Sequence, residues 1–438
     1  MMHAEDSLNA EIPVGQGDTA TYGRVHHRTA IGFMVAACIC CGQATAQDTE
    51  DAQDADEPES FFDAVSSGKV DFNLRLRYEF VSQDALEDAH AATARLRLGY
   101  GTRPWNGLSF YAGLEASRPA DYSSYNAAGL NGQPGKAVIA DPKDTDLDQL
   151  WVNYDFDKIK TEFKLGRQVI NLDDVRFVGD VAWRQLRQTF DAVSFTSTPV
   201  EDLTVFYAYV TYVDRVFGSS SGLNFQSDSH LVNVAYDGFS FGTITGFGYF
   251  LDFDNAAASS SNTVGLRFNG KHEFTDKFSL GYALSYAYQS NADSNPTDYD
   301  ASYYLVDVSG TLEGLGALGL AFEVLGSDNG VAAFQTPLAT GHKFNGWADA
   351  FLTTPAAGLQ DLYVYVNADL PWDVKGRIAW HKFDADDGGA DFGNELDLLL
   401  SKKLTKNWTV LAKCAAYDGA SGGLADRTKF WIQTTFSF

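Results

Sequence analysis

The chain has 438 residues, with 40 glycines, 14% aromatic residues and a formal net charge of −26. Such an acidic chain is disfavoured as a partner of nucleic acid, because phosphates require a basic face. Its body has no run of 18 or more apolar residues, which excludes a helical membrane protein but not a membrane β-barrel, in which lipid-facing and lumen-facing residues alternate.

Residues 1–46 are predicted to be a secretory leader that contains a signal peptide. A basic flank precedes the apolar run 30–41, and an Ala-x-Ala site ends at Ala46, so cleavage is expected before Gln47. The alternative is a lipoprotein modified at Cys38, which follows a lipobox-like Val-Ala-Ala. The apolar run before that cysteine is short and a good cleavage site follows it, which favours the secretory signal.

Residues 47–66 are predicted to be a disordered periplasmic segment. The first part of this segment, 47–60, is acidic and lacks large apolar side chains, so it cannot bury enough surface to fold. The remainder, 67–438, is predicted to form one barrel domain. Of the four cysteines, only Cys414 lies beyond the leader, so we expect no internal disulfide and no cysteine-based metal site.

From Val70 onward, polar and apolar residues alternate with a period of two. Leu74 and Leu76 fall on one face of the first segment, whereas Arg75 and Arg77 fall on the other. A period of two indicates a strand between two different environments. The pattern defines 18 segments, at 70–80, 94–100, 107–118, 146–156, 159–168, 189–197, 203–214, 228–237, 240–253, 261–273, 277–289, 300–311, 316–326, 359–369, 373–383, 392–403, 407–418 and 427–438.

The connections between these segments alternate in length. Roughly every second connection is short and rich in turn-forming residues, whereas the others are mostly longer and polar. This alternation predicts an all-β fold, a transmembrane antiparallel up-and-down β-barrel of about 18 strands with short periplasmic turns and long extracellular loops. An even strand number places both ends of the barrel in the periplasm. We therefore expect the protein to be located in the bacterial outer membrane, in contact with its lipid and lipopolysaccharide. The long connections are 119–144, 169–187, 215–227, 290–299, 327–357, 384–391 and 419–426.

The last segment, 427–438, is predicted to pair with the first and to close the barrel. Its apolar face, with Phe430, Ile432, Phe436 and Phe438, is expected to meet lipid. The segment resembles the closing strand of bacterial outer-membrane barrels. That resemblance implies that Phe438, together with Phe436, forms part of the insertion signal that the barrel-insertion machinery reads.

The inward faces of the strands carry the information on cargo. Arg75 and Arg77 on the first strand and Arg95 and Arg97 on the second form a predicted guanidinium cluster in the lumen. An arginine that faces lipid near the midplane would cost about 2–4 kcal/mol, so the lumen is the favourable side. The same inward parity holds for Arg267 and Arg377.

Two roles are open for this cluster. Guanidinium binds carboxylate with two parallel hydrogen bonds, so the lumen would select anions. Alternatively, the arginines brace the wall by pairing with acidic residues of neighbouring strands. The candidates for such pairing are Glu79, Glu115, Glu273 and Glu323.

Residues 166–193 are the most distinctive stretch of the chain. Gly166-Arg167-Gln168 ends a strand, a long loop dense in arginine follows, and Phe190-Asp191 begins the next strand. This stretch resembles the alginate export family of outer-membrane porins, in which a Gly-Arg-Gln segment precedes an Arg- and Trp-containing loop and a Phe-Asp-led strand. The likeness spans roughly residues 66–438.

The resemblance implies an 18-stranded barrel with a narrow, arginine-lined passage that is constricted by infolded loops. By position, the constriction residues are Arg167, Arg176, Arg184 and Arg187. The family's best-understood members export the polyuronate alginate. We therefore expect an outer-membrane channel for small anionic or carbohydrate-type solutes, with a polyuronate such as alginate among the possible cargoes.

Other function classes have weaker support in the sequence. Two aspartate clusters lie at 141–148 and 384–391; the first lacks the Gly and the terminal Glu of an EF-hand calcium loop, and solvated loop charge is the favoured interpretation, so no metal and no cofactor is expected. The histidines have no serine or acidic partner at nucleophile spacing, so we expect no catalytic residues and no enzyme. A structural or adhesin-like barrel without transport and, less favoured, an outer-membrane barrel hydrolase remain the alternatives.

Overall fold

The structure of the chain, a computed structural model, describes residues 58–438, and the predictions for the leader and for the first part of the acidic segment lie outside these residues. Eighteen strands, numbered β1 to β18 in chain order, form one antiparallel sheet that closes on itself, because β1 pairs with both β2 and β18. Their bounds are Lys69–Gln83, Ala89–Gly101, Leu108–Pro119, Asp144–Phe156, Thr161–Gln168, Thr189–Ser197, Leu203–Asp214, Phe225–Phe239, Gly242–Leu251, Ser261–Thr275, Phe278–Asn291, Asp300–Leu312, Gly316–Leu325, Leu359–Leu370, Val374–Asp384, Asp391–Thr405, Trp408–Asp418 and Arg427–Ser437.

This architecture confirms the all-β up-and-down barrel and the strand number of 18. Two further strands of two residues each, Ser327–Asp328 and Ala332–Ala333, pair only with one another inside the longest loop. In residues 58–438, no helix is both long and apolar enough to cross a membrane.

The connections alternate in length around the barrel, as the sequence predicts. The rim that holds the barrel's first and last residues carries only short turns, such as 240–241 and 276–277, whereas the opposite rim carries the long loops. A turn as short as these requires unusual backbone angles, and in the turn before β3 Asn106 and Gly107 both have positive φ, at 51° and 81°. The longest loops, 120–143, 169–188 and 326–358, all leave the same rim.

Each strand has one face turned outward and one turned inward. In β1, Leu76 is 47% exposed on the outer surface, whereas Arg75 and Arg77 are 2% and 3% exposed on the inner face. In β18, Ile432 is 53% exposed and Trp431 is fully buried. The two-residue period that the sequence shows is therefore the alternation between lipid-facing and interior positions.

The barrel closes between β1 and β18, the pairing that the sequence predicts. Phe72 and Phe438 exchange backbone hydrogen bonds of 2.8 and 3.0 Å, and their rings stack with centroids 4.7 Å apart. Trp408 of β17 stacks on Phe436 at 5.0 Å. Phe436 and Phe438 thus lie on the outer surface beside the seam, where we expected the insertion signal.

The barrel interior is filled by two loops that fold inward, loop 169–188 and loop 326–358. Their apolar residues, which include Trp183, Leu338 and Trp347, form one buried cluster with inward side chains of the wall such as Phe247 and Trp431. The loops join each other where the Gly179 amide donates to the Leu338 carbonyl at 2.9 Å and the Thr340 amide to the Val175 carbonyl at 3.1 Å. The barrel interior therefore contains a packed apolar core as well as charged side chains. The sequence did not predict this core.

A short helix, α1, precedes the barrel at Phe61–Ser66 and begins with the side chain of Ser60 accepting a hydrogen bond from the Asp63 amide. Phe61 packs edge-on against Trp105 and Phe110, with centroids 6.0 and 6.2 Å away. This helix lies within the segment predicted to be disordered. The aromatic contacts explain its order, because they give the helix an apolar surface to cover.

Candidate functional site

Four predicted arginines lie together on the inner face of β1 and β2. Arg75 and Arg95 are direct cross-strand neighbours, and Arg77 and Arg97 flank them. All four are almost completely buried. Cationic side chains of β17 and β18 continue this surface, which we call the basic wall: Arg75, Arg77, Arg95, Arg97, Lys413, Arg427 and Lys429.

Two arginines of the basic wall, Arg75 and Arg77, hold loop 169–188. Arg75 donates from Nη1 to the carbonyl oxygens of Ala182 and Trp183 at 3.0 and 3.1 Å. The Arg77 guanidinium lies 4.1 Å above the Trp183 ring, and this side chain also donates to Gln433 Oε1 at 2.9 Å. A guanidinium over an indole face is attracted by the ring quadrupole. The described conformation therefore places loop backbone and an indole ring at these arginines.

The remaining two arginines of this cluster pair within the wall. Arg97 forms an ion pair of 2.8 Å with Glu115 of β3, and Arg95 donates to the side chain of Asn73. One of the glutamates suggested as a bracing partner is therefore used in that way. Arg97 therefore braces the wall, whereas Arg75 binds the loop backbone, a role that the sequence did not suggest.

Three of the predicted constriction residues, Arg176, Arg184 and Arg187, lie in the infolded loop 169–188 and are buried. Arg176 pairs with Glu323 of β13 at 2.6 Å. Arg184 joins Glu79 of β1 at 3.2 Å to Asp349 of the second loop at 3.1 Å. Arg187 pairs with Asp148 of β4. These arginines anchor the loop to the three strands β1, β4 and β13.

An acidic wall lies beside the basic wall, because β16 pairs with β17, and it was not predicted as a unit. It consists of Glu323 of β13, Asp361 of β14, and Glu395 and Asp397 of β16, all buried. Glu395 accepts a hydrogen bond from the Ala348 amide at 2.6 Å and Asp397 accepts one from the Trp347 amide at 3.2 Å. The available signal was the inward parity of these carboxylates along their strands.

The other predicted site residues are dispersed. Arg267 pairs with Asp174 of loop 169–188 at 2.6 Å. Arg377 of β15 donates to Asn367 of the neighbouring strand β14 at 3.0 Å. Both are inward, as their parity predicts.

Arg167 is not brought together with the other predicted constriction residues. It shares a strand face with Leu165, which is 46% exposed on the outer surface, and it pairs with Asp191 and Asp214 at 2.7 and 2.6 Å. Its assignment to the constriction followed the family resemblance, whereas strand parity places it outside the lumen. Arg167 is therefore assigned to the outer side of the barrel and not to the lumen.

In residues 58–438, no group of three or more His, Cys, Asp and Glu side chains is arranged to hold a metal ion. The interior instead contains a basic wall and an acidic wall on neighbouring parts of the sheet, and both contact the infolded loops. Carboxylates and guanidiniums in a water-poor interior interact strongly with charged or polar solutes. The arrangement is suited to sorting solutes by charge.

Comparison with known proteins identifies a family and a fold for the chain. The sequence model of the alginate export family matches residues 69–304, more than half of the chain. The search of curated proteins found no match.

Solved structures with the same fold include OccK9 (OpdG) of Pseudomonas aeruginosa, at 15% identity and a TM-score of 0.67, with 86% of this chain and 100% of that chain covered. OpdK of the same organism, solved with vanillate, has 15% identity and a TM-score of 0.63 over 85% and 99% of the two chains. OccAB4 of Acinetobacter baumannii has 13% identity and a TM-score of 0.63 over 85% and 98%. At these identities the likeness shows the fold alone.

Proposed function

Because the chain belongs to the alginate export family of outer-membrane β-barrels, we propose that it is a channel for small anionic or carbohydrate-type solutes, including polyuronates such as alginate. The observation that supports this most directly is the basic wall, with its four buried arginines on β1 and β2. Guanidinium groups match carboxylates in geometry and charge. The barrel's inner wall thus carries the residue type that an anion-selective passage needs.

The strong acidity of the chain does not oppose this proposal. A polyanion would be repelled if the acidic residues dominated the inner face of β1 and β2. Instead, Glu79 and Glu115 on that side are paired with Arg184 and Arg97. The structure of OpdK with vanillate, a small carboxylate, adds support from a barrel of the same fold.

We further propose the route by which the chain reaches the membrane. The leader 1–46 directs export and is cleaved, and Phe436 and Phe438 at the seam are read by the insertion machinery. The outward faces then contact lipid and, on the outer leaflet, lipopolysaccharide. No observation on the described residues favours a hydrolase, since the hydrogen bonds of His342 and His381 go to aspartates and a lysine and not to serine.

One observation favours a second candidate, a structural barrel without transport. The two infolded loops pack into a continuous apolar cluster with the wall. A barrel sealed in this way would carry no current. Conductance measurements separate the two functions.

The channel proposal is tested in planar bilayers. We expect discrete, anion-selective current steps from the folded protein. Replacing Arg75, Arg77, Arg95 and Arg97 by Gln should bring the anion-to-cation permeability ratio close to one, because the basic wall loses four positive charges. The control is Arg118→Gln, which removes an exposed arginine near the rim and should leave selectivity unchanged.

Two results would contradict the proposal. One is the absence of current from protein whose folding has been verified, which would support the structural barrel. The other is a liposome-swelling panel of neutral sugars, uronates and small carboxylates in which only the neutral sugars enter. That outcome would reject anion selection while leaving a channel.

A further inference from the structure

His342 occupies the tip of the second infolded loop and touches the barrel wall. It lies in the single turn Gly341–Lys343 and is 5% exposed. Its Nδ1 is 2.7 Å from Oδ1 of Asp349 in the same loop, and its Nε2 is 2.8 Å from Nζ of Lys413 on β17. Both ring nitrogens are therefore engaged, one within the loop and one with the wall.

These contacts define the protonation state of the ring. A lysine ammonium has only donors, so Nε2 of His342 must be the unprotonated nitrogen that accepts from Lys413. The single proton of the neutral ring then lies on Nδ1 and is donated to Asp349. A second proton, on Nε2, would place two cationic donors against each other at hydrogen-bond distance.

The surroundings of His342 oppose that second proton. Burial lowers the pKa of His342 well below its usual range, and Lys413 and Arg184 lower the pKa further, while Asp349 acts in the opposite sense. Trp183 stacks on the ring at 4.6 Å, and Trp431 meets its edge at 5.5 Å. The charged groups around this contact are Asp349 of the same loop, Arg184 of the other loop, Lys413 of β17, Asp397 of β16 beside Lys413, Lys429 of β18, and Arg77 and Glu79 of β1.

We propose that His342 is a proton-operated latch, which fixes loop 326–358 to the basic wall while its ring is neutral and releases the loop when the ring is protonated. Protonation removes the acceptor of Lys413 and replaces a hydrogen bond by a repulsion. Release also frees Asp349, which otherwise connects the loop to Lys429 and Arg184. The loop movement stands independently of transport, whereas its effect on current rests on the proposed channel function.

The sign of the pH dependence follows from the two states. The released histidine has the ordinary pKa of about 6.5, and the docked histidine has a lower pKa, so the released state binds more protons between these values. Release is therefore favoured as the pH falls below about 6.5. One proton changes the release equilibrium by about tenfold per pH unit until the docked pKa is reached.

The barrel contains a natural control for this behaviour. His381 of β15 is also buried, but its Nδ1 is 2.9 Å from Asp361 and its Nε2 is 3.8 Å from Asp397. Both ring nitrogens of His381 thus face carboxylates, which accept hydrogen bonds from a doubly protonated ring. Among residues 58–438, no cation lies at hydrogen-bond distance from the His381 ring, so its protonation displaces none.

The test is hydrogen exchange of the full folded chain at pH 7.5 and pH 5, corrected for the intrinsic exchange rate. We expect the protection of residues 340–350 to fall by about tenfold per pH unit below 6.5 in the wild type. His342→Gln should abolish this dependence, because the amide donates to Asp349 and accepts from Lys413 without titrating. His381→Gln should retain the wild-type response.

A second variant keeps the test decisive if His342→Gln does not fold. Lys413→Met removes the cation that opposes the second proton but leaves the ring buried, so the pH dependence of its loop protection should become weaker than in the wild type. The latch is rejected if the wild type shows no pH dependence, if the dependence persists in His342→Gln, or if Lys413→Met leaves it unchanged. Current that stays absent at pH 5 while protection falls would reject the channel function and leave the latch intact.

Discussion

The basic wall binds backbone carbonyl groups of the infolded loops, whereas the acidic wall binds their backbone amide groups. On the basic side, Arg75 donates to the carbonyls of Ala182 and Trp183, and Arg427 donates to the carbonyls of Ala348 and Asp349. On the acidic side, Glu395 and Asp397 accept from the amides of Ala348 and Trp347. The same loop residue, Ala348, is bound at its carbonyl by one wall and at its amide by the other.

This difference shows how a charged barrel interior can be filled without matching each loop side chain. Backbone groups are present at every residue, so a wall of either sign finds partners in any loop that reaches it. Under the proposed channel function, cargo would reach the charges of the walls only when the loops move. Substitutions that separate the contributions of the two walls test this view.

The largest effect is expected from Arg184→Ala. Arg184 connects Glu79 of the wall to Asp349 of the second loop and also pairs with Asp141, so its removal leaves three buried carboxylates without this cation. Breaking a buried pair in this way costs about 3–5 kcal/mol. The free energy of unfolding in urea, after folding into lipid vesicles, should fall by that amount.

Arg118→Ala provides the comparison for Arg184→Ala. Arg118 is exposed, and its partners are the carbonyls of Ser117 and Asp144 and the hydroxyl of Thr145. Its loss should change the free energy of unfolding by less than about 1 kcal/mol, as for other surface substitutions. Equal effects of the two substitutions would contradict the anchoring role of the infolded arginine.

An intermediate effect is expected from Gly346→Ala, which disturbs the acidic wall alone. Gly346 has a φ of +83°, and an added Cβ would lie 2.4 Å from Oε2 of Glu395. Backbone strain and the displaced carboxylate together should cost about 2–3 kcal/mol. Gly330→Ala, in the same loop, should cost about 1 kcal/mol, since φ is +75° there but the nearest atom to the Cβ is 3.5 Å away.

Much of the difference between the two walls could be predicted from the sequence, because each strand residue faces either the lumen or the outside of the barrel. The two-residue period located all 18 strands and placed Arg75 and Arg95 on the same inner face. The period would also have placed Arg167 outside, beside Leu165, had it been followed there in preference to the family resemblance.

The contents of the barrel could not be predicted in the same way. The contacts that dock the loops connect residues far apart in the chain, such as Arg176 with Glu323 at a separation of 147 and Arg184 with Asp349 at a separation of 165. Loop sequences have no period that specifies such partners. For the same reason the environment of His342, set by strands β17 and β18 and by the other loop, appeared only in the structure.

The smallest effect is expected from Glu395→Gln, which tests whether the acidic wall needs charge or only acceptors. The amide oxygen can still accept from the Ala348 amide, so a charged hydrogen bond becomes a neutral one and loses about 1 kcal/mol. Removing the repulsion between Glu395 and the neighbouring Asp397 offsets part of that loss. We expect a net change in the free energy of unfolding below about 1 kcal/mol. Glu395→Ala, which leaves the Ala348 amide without this acceptor, should cost about 1–3 kcal/mol. If Gln and Ala were equally destabilising, charge rather than acceptor geometry would dock the loop on this wall.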